Sequence, residues 1–257
     1  MYSISGLLAD MLESGRYSDL TIKCSGKVFK VHRNVVCLQS KPLAAHVDGG
    51  FAEAITGEIN LPGDHPQTLE RLIKFLYTGN FDAIPSADEA ANEISYATTE
   101  ELSSDLAEEV SRKAAEGHSG ILITCTRVFI MAEKYDIPDL KNLAKTKFEG
   151  AISTEWNTCA LSVSLRLMYD ELPESDRLIK DVAIEAAASH VKELTDRGEF
   201  AALCRENGDI ALDVLKACSN LLADHGGNCT CYGAQHATYG SYSRSNQYCR
   251  NCGSYFS

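Results

Sequence analysis

No run of apolar residues in this chain of 257 is long enough to cross a bilayer; the longest, 121–132, is broken by Arg127. Bases are scarce, 24 against 36 acids, giving a formal charge of −12. That balance disfavours a protein that wraps nucleic acid over much of its surface, because phosphates need cations to neutralise them. A small local basic site stays open. The start, Met1-Tyr2-Ser3-Ile4-Ser5, lacks the basic stretch of a secretory leader, and Asp10 interrupts the apolar patch behind it. Cytoplasm and nucleus are the expected compartments. Short catalytic motifs are missing too: there is no Gly-x-Ser-x-Gly, no Gly-x-x-x-x-Gly-Lys, no Gly-x-Gly-x-x-Gly and no His-Glu-x-x-His. The histidines are isolated and no repeat of solenoid period is visible, so neither an enzyme nor a repeat array is predicted.

What is present is unevenly placed. Residues 86–118 hold nine acids and two bases, a charge of −7 in one segment, whereas the tail from His225 holds no acid and two arginines. Six cysteines (Cys24, Cys37, Cys125, Cys159, Cys204, Cys218) are scattered singly, and four (Cys229, Cys231, Cys249, Cys252) crowd the last 29 residues. In a reducing compartment the scattered thiols read as small buried hydrophobes. The sequon Asn228-Cys229-Thr230 reads as empty in a chain with no secretion signal.

Periodicity gives the order of elements. Leu7, Leu8, Met11 and Leu12 predict a short amphipathic helix over 7–15. Alternation in Asp19–Cys24 and Val28–Val31, around Ser25-Gly26-Lys27, predicts a hairpin. Short helices follow, over Val35–Gln39 and Leu43–Phe51, and then a strand at 57–62. Pro66 opens a helix striped by Leu69, Leu72, Ile73, Leu76 and Tyr77 and closed by Thr78-Gly79. Within the acidic segment, Thr98 and Glu101 have capping-box spacing ahead of Leu102, Leu106 and Val110, which reads as a solvated helix in a flexible insertion or as a docking surface for a basic partner. A helix over 121–135 ends at Asp136-Ile137-Pro138. Asp139 is read as the cap of the next, 140–148, with Lys141, Lys145 and Lys147 facing out. Helices are expected at 155–170, 175–194, 197–206 and 209–223, before the Gly226-Gly227 linker. The first half is α+β, the second all-α.

Six runs stand out along the chain: Asp19-Leu20-Thr21-Ile22, Phe29-Lys30-Val31-His32-Arg33, Gln39-Ser40-Lys41, Gly57-Glu58-Ile59-Asn60-Leu61-Pro62, Leu72–Gly79 and Ala132–Leu140. Together, and in this order, they resemble the BTB (POZ) domain family. The glycines near Phe51 and the long acidic insertion look like the fungal branch, and 154–223 resembles the helical (BACK-like) extension that often follows. The resemblance implies a BTB/POZ fold over 1–150, a small β-sheet capped by short helices, with an insertion at about 85–119. A helical extension at 151–224 and a Cys-rich tail at 225–257 complete the expected layout.

The same resemblance implies an interaction module that homodimerises, through a face including Leu8, Met11, Leu12, Val35, Val36, Leu38 and Leu43. Filling the monomer core is the other reading of these side chains, weighed evenly for Val35 and Leu38. Asp19 and Arg33 match a charged pair at the dimer seam, or an ion pair that fixes the hairpin. His32 reads as a hydrogen-bonded buried histidine. Adaptor relatives hand clients to a cullin-type ubiquitin ligase through an apolar-x-Glu triplet after the Tyr-Thr-Gly helix. Phe81-Asp82-Ala83-Ile84-Pro85 lacks it, so a cullin partner is open.

In the tail, Cys249-x-x-Cys252 followed by Gly253 resembles one knuckle of a zinc ribbon, and Cys229-x-Cys231 would complete four soft ligands, with His225 or His236 as substitutes. Such a closed tetrahedral site is structural. Idle thiols are the other reading. Five tail tyrosines and two arginines could stack on nucleic acid, which makes a nuclear regulator contacting nucleic acid or a chromatin protein the alternative function.

Overall fold

The computed structural model describes residues 4–48, 55–85, 89 and 120–224. The insertion helix expected near 98–110 and the Cys-rich tail lie outside these residues.

A three-stranded sheet in the order β2-β1-β3 forms the base of the first half. β1 (Leu20–Cys24) and β2 (Lys27–Val31) pair antiparallel, with Leu20 opposite Val31 and Cys24 opposite Lys27. The two residues between them, Ser25 and Gly26, both have positive φ, 43° and 87°, which lets the connection follow the twist of the strands. β3 (Glu58–Asn60) adds parallel to β1, with Ile59 opposite Ile22. Alternation puts Leu20, Ile22, Cys24, Val31 and Ile59 in the core.

Helices cover this sheet: α1 (Ile4–Ser14), α2 (Arg33–Gln39), α3 (Lys41–Asp48) and α4 (Pro66–Thr78). α4 starts on proline and stops where Gly79 turns left-handed, φ 72°, its N–H closing on the Phe75 carbonyl. Its stripe of Leu69, Leu72, Ile73, Leu76 and Tyr77 is buried as the spacing predicts.

The centre of the molecule is α5 (Ile121–Lys134), which packs on α4, on α6 (Pro138–Glu155) and on α7 (Cys159–Glu171). A helix with neighbours on three sides buries more than one stripe, which is why Leu122–Thr126, Val128, Phe129, Met131 and Ala132 are all buried. α8 (Lys180–Ser189), α9 (Val191–Thr195), α10 (Gly198–Glu206) and α11 (Gly208–Asp224) complete the all-helical half. A single buried cluster runs from Leu20 through α5 to Val214, so the two halves share one core.

Four local readings need correction. Asp139 does not cap α6: the helix begins at Pro138, with Ile137 at the cap position and Asp139 inside the first turn, facing the helix dipole. α6 also runs on to Glu155, across position 150, because Ala151 and Ile152 continue the buried stripe past Gly150. Lys141 does not face out. Its ammonium bonds Glu133 of α5 and Asp176 of the α7–α8 connection, 2.7 Å away, and sits over the Phe129 ring. Lys147 lies over Phe81. The segment 175–194 is not one helix: 174–179 is a connection, and α8 breaks at His190 before α9. His190 there stacks on Trp156, ring centroids 3.6 Å apart.

Of the six scattered cysteines, Cys24 and Cys125 are buried and the other four half-buried. Burial pushes the Cys125 thiol up to about 12.

Candidate functional site

The expected interaction face is built by α1 and α2, both packed on α4. What joins them to the core is a polar knot at His32, the residue before α2. The Tyr77 hydroxyl accepts the His32 backbone N–H at 2.8 Å and lies 2.8 Å from Nδ1, while Nε2 lies 2.7 Å from the Arg16 carbonyl. A neutral imidazole satisfies all three contacts, with Tyr77 donating to Nδ1 and Nε2–H donating to Arg16. Burial raises the Tyr77 phenol above its ordinary value. His32 is 4% exposed and hydrogen-bonded, as the sequence predicts.

Asp19 and Arg33 meet, but not carboxylate to guanidinium. The Asp19 carboxylate accepts the Arg33 backbone N–H at 2.8 Å, in the first turn of α2, and Arg33 Nε donates to the Asp19 carbonyl at 3.2 Å. The expected ion pair is therefore an exchange of side-chain and backbone bonds that ties the start of β1 to the start of α2. Short-range geometry decides this: a carboxylate is best used on the unsatisfied N–H groups of a helix start.

The apolar residues of the expected face divide by burial. Val36 and Leu43 are fully buried inside a single chain, so they have no surface to offer a partner. Leu8, Leu12 and Val35 are half-buried and packed against the core, and Met11 is half-buried. Leu38 is 85% exposed. Two more exposed apolar residues stand on α1, Ile4 and Leu7, of which only Leu7 was visible as part of an amphipathic stripe.

Beyond this face, Phe81 is buried while Ile84 is exposed in the stretch that follows the Tyr-Thr-Gly end of α4. Lys180, unsuspected from sequence, is 2% exposed, its ammonium donating to the Leu172 and Pro173 carbonyls at the end of α7. The four tail cysteines, His225 and His236 lie outside the described residues, and among the described residues no cluster of three metal-binding side chains occurs. Nor is any described helix long and apolar enough to cross a membrane.

Comparison with known proteins agrees with this geometry. Residues 8–113 match the BTB/POZ domain. A curated Arabidopsis thaliana protein, "ARM repeat protein interacting with ABF2", is 32% identical over 65 residues, which is 25% of this chain and 9% of that protein. The chain thus aligns with under a tenth of that relative's length. A BTB domain is a non-catalytic module for binding other proteins. Its small mixed sheet with covering helices is the first half described above, and the residues at 8–113 are a BTB/POZ domain followed by a helical region.

Proposed function

We propose that this chain is a homodimerising adaptor whose BTB domain pairs with a second copy while the helical region holds a client protein. The observation that carries the reading is the set of exposed apolar side chains, Ile4 and Leu7 on α1 and Leu38 on α2, on two helices seated on the same α4. A twofold contact covers such a surface with itself. Light scattering on the purified chain at tens of micromolar tests it. A dimer that becomes monomeric on Leu7→Asp with Leu38→Asp, with an unchanged melting temperature, supports the reading; a wild-type monomer refutes it.

Delivery of the client to a cullin-type ubiquitin ligase is the finer form of this proposal, checked by direct binding to a purified cullin. Asp82 and Ile84 occupy the stretch where the family's triplet is expected, so cullin binding here requires contacts other than that glutamate.

The tail is proposed to fold around a structural zinc ion held by Cys229, Cys231, Cys249 and Cys252, since two thiol pairs in one short segment supply the four soft ligands of a closed tetrahedral site. Metal analysis of purified protein should give one zinc per chain, reduced by Cys252→Ser.

A further inference from the structure

A cleft of about 770 Å³ opens in the helical region between α6, the α7–α8 connection and α8. Its wall is acid-rich, with five carboxylates against three bases. Each of the three bases is already met by an acid: Lys141 by Asp176 at 2.7 Å, Lys145 by Glu149 at 3.0 Å and Arg177 by Asp181 at 2.7 Å. Glu185, exposed on α8, has no basic partner among the described residues. The bases of this wall are therefore committed, and the charge left over is negative.

The cleft also carries an apolar handle. Leu178, on its wall, is 49% exposed, while the next residue, Ile179, is fully buried. The outward placement is held from below. The Leu178 N–H donates to Asp176 Oδ1 at 3.3 Å, and the Asp176 side chain, 7% exposed, is clamped by Lys141 from α6. Pro173 and Val182 line the same cleft. A leucine fixed at the edge of a negatively charged concavity is a complete pair of recognition elements, one for apolar area and one for charge.

We propose that this cleft receives a short basic segment of a partner protein that carries an apolar side chain to cover Leu178. An identical copy is the poorer occupant, because a twofold contact through this cleft would set two acid-rich walls against each other. The proposal deepens the adaptor reading by giving the client's chemistry, and it does not depend on dimerisation.

The test uses the full chain and three fluorescein-labelled peptides, Arg-Leu-Arg-Leu-Arg-Arg, Arg-Ser-Arg-Ser-Arg-Arg and Glu-Leu-Glu-Leu-Glu-Glu, followed by anisotropy at low salt. The Arg-Leu peptide should bind, the Arg-Ser peptide more weakly and the acidic peptide not at all. Leu178→Ser and Glu185→Lys, both at exposed positions, should each weaken the Arg-Leu peptide by about fivefold, the size expected for losing one interface anchor or one steering charge. In the unaltered protein, the Leu178 methyl resonances should shift during the titration. Equal binding by both variants, equal binding of the Arg-Ser peptide, or unmoved Leu178 resonances overturns the proposal, since the peptide is then collected by acids elsewhere. Light scattering on the same samples keeps the two readings apart. A monomer that binds at Leu178 loses only the dimer reading, and a dimer that does not bind loses only the cleft.

Discussion

Arg71 and Glu89 form a two-pronged ion pair that is almost wholly removed from water, with Glu89 4% and Arg71 11% exposed. The same guanidinium donates to the Asp82 and Ile84 carbonyls, so α4 gathers the chain leaving it at three points. Glu89 belongs by sequence to the acidic segment, yet it is a core residue of the domain.

Removing one partner of such a pair leaves a buried charge without its counter-charge. Glu89→Ala should destabilise the chain by about 3 kcal/mol in urea unfolding, and Glu89→Gln by less, because an amide still accepts from Arg71. A change within experimental error for Glu89→Ala would show that the ion pair contributes nothing.

Tyr77→Phe removes one hydroxyl and strands two groups, the His32 backbone N–H and Nδ1. The expected cost is about 2 kcal/mol, the penalty for leaving buried polar groups unsatisfied. Because His32 precedes α2, amide exchange should also accelerate in α2 and not in α11.

Asp213 of α11 is held below the usual carboxylate range, at about 2. Burial alone would raise it, but bonds from Tyr169 at 2.6 Å and Arg177 at 2.7 Å favour the charged form more strongly. A folded value below the unfolded one means that the carboxylate stabilises the fold above about pH 4 and loses that contribution as pH falls toward 2. The loss amounts to about 2 kcal/mol by linkage. Asp213→Asn should flatten this part of the stability profile, measured by urea unfolding from pH 5 to 2; an unaltered profile would exclude Asp213 as its source.

Ser164 of α7 is fully buried, and its hydroxyl has no hydrogen-bond partner among the described residues. An unsatisfied buried hydroxyl costs more than its absence, so Ser164→Ala should raise stability by about 1 kcal/mol. A lower melting temperature for the alanine form would mean that the hydroxyl has a partner.

Local signals were legible in the sequence wherever one short stretch carries its own reason to fold. The hairpin around Ser25-Gly26, the Pro66-to-Gly79 helix and the break at Pro138 all follow from turn chemistry and periodicity within a dozen residues. Glu89, Lys141 and Lys180 were not legible, because each is buried by a partner that comes from elsewhere in the chain or a carbonyl that only folding exposes: Arg71, Asp176 and the end of α7. The same holds for Asp19, whose carboxylate serves a helix start fourteen residues on and not the charge of Arg33.

The sequence by itself determined the order of strands and helices, the domain family and the apolar character of α5, since these depend on residue spacing and turn-forming residues. Only the tertiary structure decided which apolar and charged side chains stay at the surface. Val36 and Leu38 share one short helix, yet one is sealed in the core and the other is 85% exposed. Burial is set by which elements arrive on each face of a helix, and the elements that reach α2 and α6 come from distant parts of the chain.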